Sequence, residues 1–120
     1  MPTLRHLVYN LEAANSHPNR AIEFLKQLYV DAERVKFVQK HRNQVVFEKS
    51  FTGQDDDATI QENIETFMQH AQLLIDSNFE LRGILLSILS KLTIIRSHGF
   101  GVKCFNCLRD LMIAGKSLEQ

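Results

Sequence analysis

The chain lacks net charge: its 120 residues carry 14 Lys and Arg against 14 Asp and Glu. No global field therefore draws it to nucleic acid or to an anionic membrane. Cysteine is scarce. Two cysteines do not make a disulfide framework, so the expectation is a reducing, intracellular compartment, cytoplasmic or nuclear. A membrane span needs roughly 20 mostly apolar residues. The most apolar stretch, 79–98, is interrupted by Arg82, Lys91 and Arg96, so no membrane span is expected. No secretory hydrophobic region is visible at the start, because His6, Asn10 and Glu12 break the first apolar pattern.

Signatures of catalysis are missing as well. The sequence has no glycine-rich phosphate loop and no Ser or Cys nucleophile motif. It has no Glu-x-x-His pair of the kind a di-iron bundle uses. Cys104 and Cys107 form a C-x-x-C with His98 nearby. Zinc would need a second pair of ligands at similar spacing, and a redox dithiol would follow a strand. Neither context is present, and Cys104 falls on an apolar helix stripe, so the pair reads as core packing. The histidines are scattered singly. An enzyme working through His70 or Cys107 is not expected, nor is any metal or cofactor.

What the sequence does contain is helical periodicity. In 79–98, Leu81, Ile84, Leu85, Ile88, Leu89, Leu92 and Ile95 recur at spacings of three and four. Leu86 and Ile94 add a second apolar face, so this helix should be buried. Ser77 and Glu80 have capping-box spacing before it, and Gly99 follows as a stop. The other segments are amphipathic and suited to cover it. Leu4, Leu7, Val8 and Leu11 mark a first helix with Thr3 as its cap. Pro18 suits the first turn of a second, whose face is Ala21, Phe24, Leu25, Leu28, Ala32 and Val35. Thr59 and Glu62 predict a capping box for a helix carrying Ile60, Ile64, Phe67, Ala71, Leu74 and Ile75. A turn at 76–78 pairs that helix with the central one. Phe100 and Gly101 form a short link to a last helix, which carries Val102, Cys104, Phe105, Leu108, Leu111 and Met112 and stops at Gly115.

The segment 45–51 is locally ambiguous, since Val45, Val46 and Phe47 favour a strand. A lone strand would have no partner, so a helical or irregular continuation is expected. The loop at 52–57, with Gly53, follows it. The fold class expected is all-α: one domain over 1–120, a bundle of about five helices around the buried helix 79–98. Charge is unevenly placed along it. Acidic residues dominate 54–80 and basic residues 81–116, which suggests that neighbouring helices attract each other.

One stretch resists assignment to a core face. In 34–51 and its flank, Arg34, Lys36, Lys40, Arg42 and Lys49 stand against Glu33 and Glu48, with Phe37, Phe47 and Phe51 interleaved. A basic face could hold phosphates, and exposed rings could stack on bases or anchor a protein interface. The neutral chain favours the second use. The expectation is a non-enzymatic helical module for protein–protein interaction: an adaptor, a small subunit of a larger assembly or an inhibitor acting by binding. Its partner would be a protein, with self-association as one form. Arg34, Lys40, Arg42, Phe47 and Phe51 are the expected partner-binding residues. The alternative is a nucleic-acid-binding subunit that uses the same segment.

Overall fold

A single residue, Asn78, separates the helix Asp57–Ser77 from the helix Phe79–Leu92. In the computed structural model its backbone N–H donates to the Leu74 carbonyl at 2.8 Å, closing one helix. Its side chain accepts from the Leu81 N–H at 3.2 Å, opening the next. The structure describes residues 3–35 and 40–115, with the side chains of 40–43 left out. Six α-helices lie within those residues: α1 Leu4–Glu12, α2 Pro18–Arg34, α3 Lys40–Thr52, α4 Asp57–Ser77, α5 Phe79–Leu92 and α6 Phe100–Ile113. A short 3-10 turn, Ser97–Gly99, precedes α6, and no strand occurs among the described residues. The all-α class is as expected. The helix count exceeds five because 45–51 belongs to a full helix, α3.

The caps follow the chemistry of the sequence but shift in register. Thr3 caps α1 through its hydroxyl, as expected. Pro18 occupies the first turn of α2. α4 starts earlier than the Thr59 box predicts: the Asp56 carboxylate accepts from the Thr59 N–H at 2.8 Å. Likewise Ser77 is not the cap of α5, since its hydroxyl donates to the Leu73 carbonyl inside α4 at 2.7 Å. In both cases the cap is the residue whose backbone is extended, Asp56 or Asn78. Asp and Asn cap as well as Ser or Thr once the backbone geometry is met.

α5 is central. It packs against α2, α4 and α6. Leu85, Ile88, Leu89 and Leu92 are fully buried, and so is Leu81. The second apolar face is also covered, with Leu86 buried and Ile84 and Ile94 half-buried against the core. Arg82 lies across the α4–α5 junction and donates through Nε to the Ile75 carbonyl at 2.7 Å. Helix α5 ends at Leu92 and not near His98. The chain then folds back through a turn in which His98 and Gly99 both take left-handed backbone, at φ 57° and 67°. Gly101 follows inside the first turn of α6. A Cβ built there would lie 2.4 Å from the carbonyl oxygens of both Thr93 and Ile95. Glycine is therefore what lets α6 start so close to the end of α5. The expected link at Phe100 and Gly101 is instead helical and buried.

Ion pairs tie the outer helices to this frame. Lys91 of α5 pairs with Glu33 of α2, and its ammonium sits 5.1 Å from the centre of the Tyr29 ring. Arg5 of α1 pairs with Asp55 before α4. His98 Nε2 lies 3.0 Å from Asp57 Oδ1 at the start of α4. No described helix is long and apolar enough to cross a membrane.

Candidate partner-binding surface

The structure divides the residues of the segment 34–51. Arg34 is exposed at the end of α2, 3.9 Å from Asp31. The Lys40 and Arg42 side chains lie outside the described residues. Phe47 and Phe51 are buried, at 3% and 0% exposure. The expectation that they form an exposed anchor is therefore overturned. The cause is helical period. Gln44, Phe47, Glu48 and Phe51 stand at offsets of three and four and share the inward side of α3, while Val45 and Val46 point out. Phe47 stacks on Phe51 with ring centres 5.9 Å apart. Phe51 meets Phe100, and Phe100 meets Phe67, at 5.7 and 5.6 Å. The rings join α3 to α6 and α4, so neither Phe47 nor Phe51 offers a face to bases or to a partner; Lys36 and Phe37 lie outside the described residues.

Two polar side chains share that buried side of α3. Gln44 Nε2 donates to the Ile94 carbonyl at 2.8 Å. Glu48 Oε1 accepts from the Arg96 N–H at 2.7 Å, from the Ser97 N–H at 3.0 Å and from the Ser97 hydroxyl at 2.9 Å. Burial alone would push the Glu48 carboxyl up, but the bonds from Ser97, Arg96 and Gln44 outweigh it and hold it below the usual glutamate value. This is a clasp between α3 and the turn after α5. It gives the part-buried backbone N–H groups of Arg96 and Ser97 a charged acceptor.

The cysteines sit on the inward side of α6. Both are free and buried. Burial pushes the Cys104 thiol up, with Cys107 adding to the effect. Burial also raises Cys107, partly offset by the Gln72 amide, whose Nε2 is 3.6 Å from Sγ. Such thiols stay protonated and are poor nucleophiles at neutral pH. Beside Cys107, a polar groove of about 370 Å³ runs between α4 and α6, lined by Glu65, Gln69, Gln72, Lys103, Asn106 and Asp110 among others. Among the described residues, no group of three or more His, Cys, Asp or Glu could hold a metal ion.

The outward side of α6 is the surface that stands apart. At about 3.6 residues per turn, Val102, Phe105, Arg109, Met112 and Ile113 share one side of the helix. Val102 is 66% exposed, Phe105 59%, Met112 66% and Ile113 79%. The opposite side, Phe100, Cys104, Cys107 and Leu111, faces the core. A surface helix normally turns a polar face to water. Here both sides are apolar, and the single charged group within the outer stripe is Arg109, which pairs with its neighbour Asp110 at 3.5 Å. These apolar residues are clustered in a stripe rather than scattered singly. The sequence shows α6 to be apolar, but not which of its two apolar sides the core takes.

No family model, curated protein or solved structure matches the chain.

Proposed function

We propose that the protein is a non-enzymatic helical interaction module: an adaptor, a small subunit of an assembly or an inhibitor acting by binding. It docks through the outer face of α6. The observation that carries this reading is the exposed stripe of Val102, Phe105, Met112 and Ile113 on a helix whose other side is already packed into the core. Aromatic and methionine side chains are enriched at the centres of protein interfaces. The module works in a reducing compartment, cytoplasmic or nuclear, where its two free cysteines remain thiols. The nucleic-acid alternative loses two of its stacking residues, because Phe47 and Phe51 are buried.

Affinity capture from the native source tests the reading, with tagged wild type compared against a Phe105→Glu, Met112→Glu double variant. Both positions are exposed, so the variant should keep the wild-type melting temperature. Wild type should retain a defined set of proteins that the variant loses. Identical recoveries from two equally folded proteins would overturn the assignment of α6.

A further inference from the structure

The outer stripe of α6 is complementary to itself. Its positions 102, 105, 109 and 112 are spaced three, four and three apart, a pattern symmetric about residue 107. Two α6 helices laid antiparallel, with a twofold axis at that position, bring Val102 against Met112 of the other copy. The same operation brings Phe105 against Arg109. From this we propose that the occupant of the α6 face is a second copy of this chain, held as an antiparallel, twofold helix pair. The proposal rests on the reading of α6 as the docking face and adds its partner and register.

The charged residue within the stripe decides the geometry. Arg109 is an obstacle to an ordinary apolar partner, which would cover a guanidinium with aliphatic groups. Its present ion pair with Asp110 is between two exposed side chains, 56% and 70% accessible, and holds it only loosely. In the antiparallel pair each Arg109 lies over the Phe105 ring of the other copy, and a guanidinium over an aromatic face is a favourable contact. The contact occurs twice by symmetry, as an isologous interface requires. A parallel pair would instead place Arg109 against Arg109. The chain also carries no net charge, so two copies approach without long-range repulsion. One helix against one helix buries an area at the small end of specific interfaces, below about 1,200 Å². The dimer is accordingly reversible and depends on concentration.

Sedimentation equilibrium of the full chain over a wide concentration range should show a monomer–dimer equilibrium. Phe105→Ala should abolish it. Arg109→Ala should weaken it roughly tenfold, from the loss of two cation–ring contacts. Register is read by disulfide crosslinking. Val102→Cys and Met112→Cys proteins should crosslink when mixed and far less when each is alone, with wild type as the control for Cys104 and Cys107. A chain that stays monomeric at every concentration would overturn the proposal. So would a Val102→Cys protein that crosslinks to itself as readily as to Met112→Cys, since that is the parallel arrangement. If the chain is monomeric but the Phe105→Glu, Met112→Glu variant still loses captured proteins, the docking face stands and the second copy falls. If neither self-association nor capture responds to the stripe, both fall together.

Discussion

Glu48 holds Ser97 at two points, accepting its backbone N–H at 3.0 Å and its hydroxyl at 2.9 Å. The bond to the Arg96 N–H completes the clasp. Since its carboxyl lies below the usual glutamate value in the folded chain, it contributes stability above the unfolded value of about 4.3. That contribution is lost as pH falls through the lower, folded value, because the unfolded state then binds more protons. Glu48→Gln should cost about 1.5–3 kcal/mol at neutral pH, the range for hydrogen bonds to a charged group. The gap between wild type and variant should narrow below pH 4, as measured by urea denaturation at several pH values. A gap independent of pH would mean that the clasp works without its charge.

Gly101 is required by close approach. Two backbone oxygens lie 2.4 Å from where a Cβ would stand, and neither can rotate away. Gly101→Ala should therefore destabilise the fold by about 1–3 kcal/mol or more, as overpacking does, although alanine is the better helix former. Thermal unfolding should show a clear drop in Tm. An unchanged or raised Tm would mean that the start of α6 can move away from the turn.

Core truncations test the expectation that has changed most. Leu89→Ala should cost about 2–5 kcal/mol, from lost burial and the cavity left at the centre of α5. Phe51→Ala should cost about 3–5 kcal/mol, because the ring is buried between Phe47 and Phe100. An exposed docking anchor at Phe51 would leave the denaturation midpoint nearly unchanged. Phe105→Ala should show that second behaviour.

These residues also mark what the sequence made legible. Helices α1, α2, α4, α5 and α6 announce themselves through apolar residues at spacings of three and four, and α5 reads as buried because it is apolar on two sides. α3 is hidden because two of its inward positions are polar. Gln44 and Glu48 face a turn whose backbone groups need partners, a need visible only once the turn is in place. The stripe is then reduced to Phe47 and Phe51, flanked by Val45 and Val46, which favour a strand locally. The caps shift by one to three residues because Asn78 and Asp56 compete with Ser77 and Thr59. The outer face of α6 has a different cause. Cys104, Cys107 and Leu111 separate from Val102, Phe105 and Met112 on a helical projection, but either set could serve the core.

The thiols supply a readout of the core's integrity. Both are buried and raised above the ordinary cysteine value, so little thiolate is present at neutral pH. Reaction with an aromatic disulfide reagent should be slow in the native protein and should accelerate to the free-thiol rate in denaturant. Gly101→Ala should speed it in native buffer, by about tenfold for each 1.4 kcal/mol of stability lost. Fast reaction of native wild type would place Cys107 at the surface of the α4–α6 groove.

The basic segment separates the two classes of partner. Arg34 is exposed, and Lys40 and Arg42 follow within the same stretch of sequence. If these residues neutralise phosphates, affinity for a single-stranded nucleic acid falls by about 0.7 log unit per log unit of salt for each phosphate. Removing Arg34, Lys40 and Arg42 together would flatten that slope. If the partner is a protein held on α6, the same triple variant should change association modestly and leave dissociation alone, as peripheral charges do. Phe105→Ala should do the reverse and speed dissociation. We expect the second pattern, because two of the rings that would stack on bases, Phe47 and Phe51, are in the core and charge without base contacts carries no sequence information. The check is a salt titration of wild type and triple variant against generic single-stranded RNA, run beside the α6 self-association assay. Tight RNA binding at physiological salt, lost in the triple variant and kept in Phe105→Ala, would transfer the function to the basic segment.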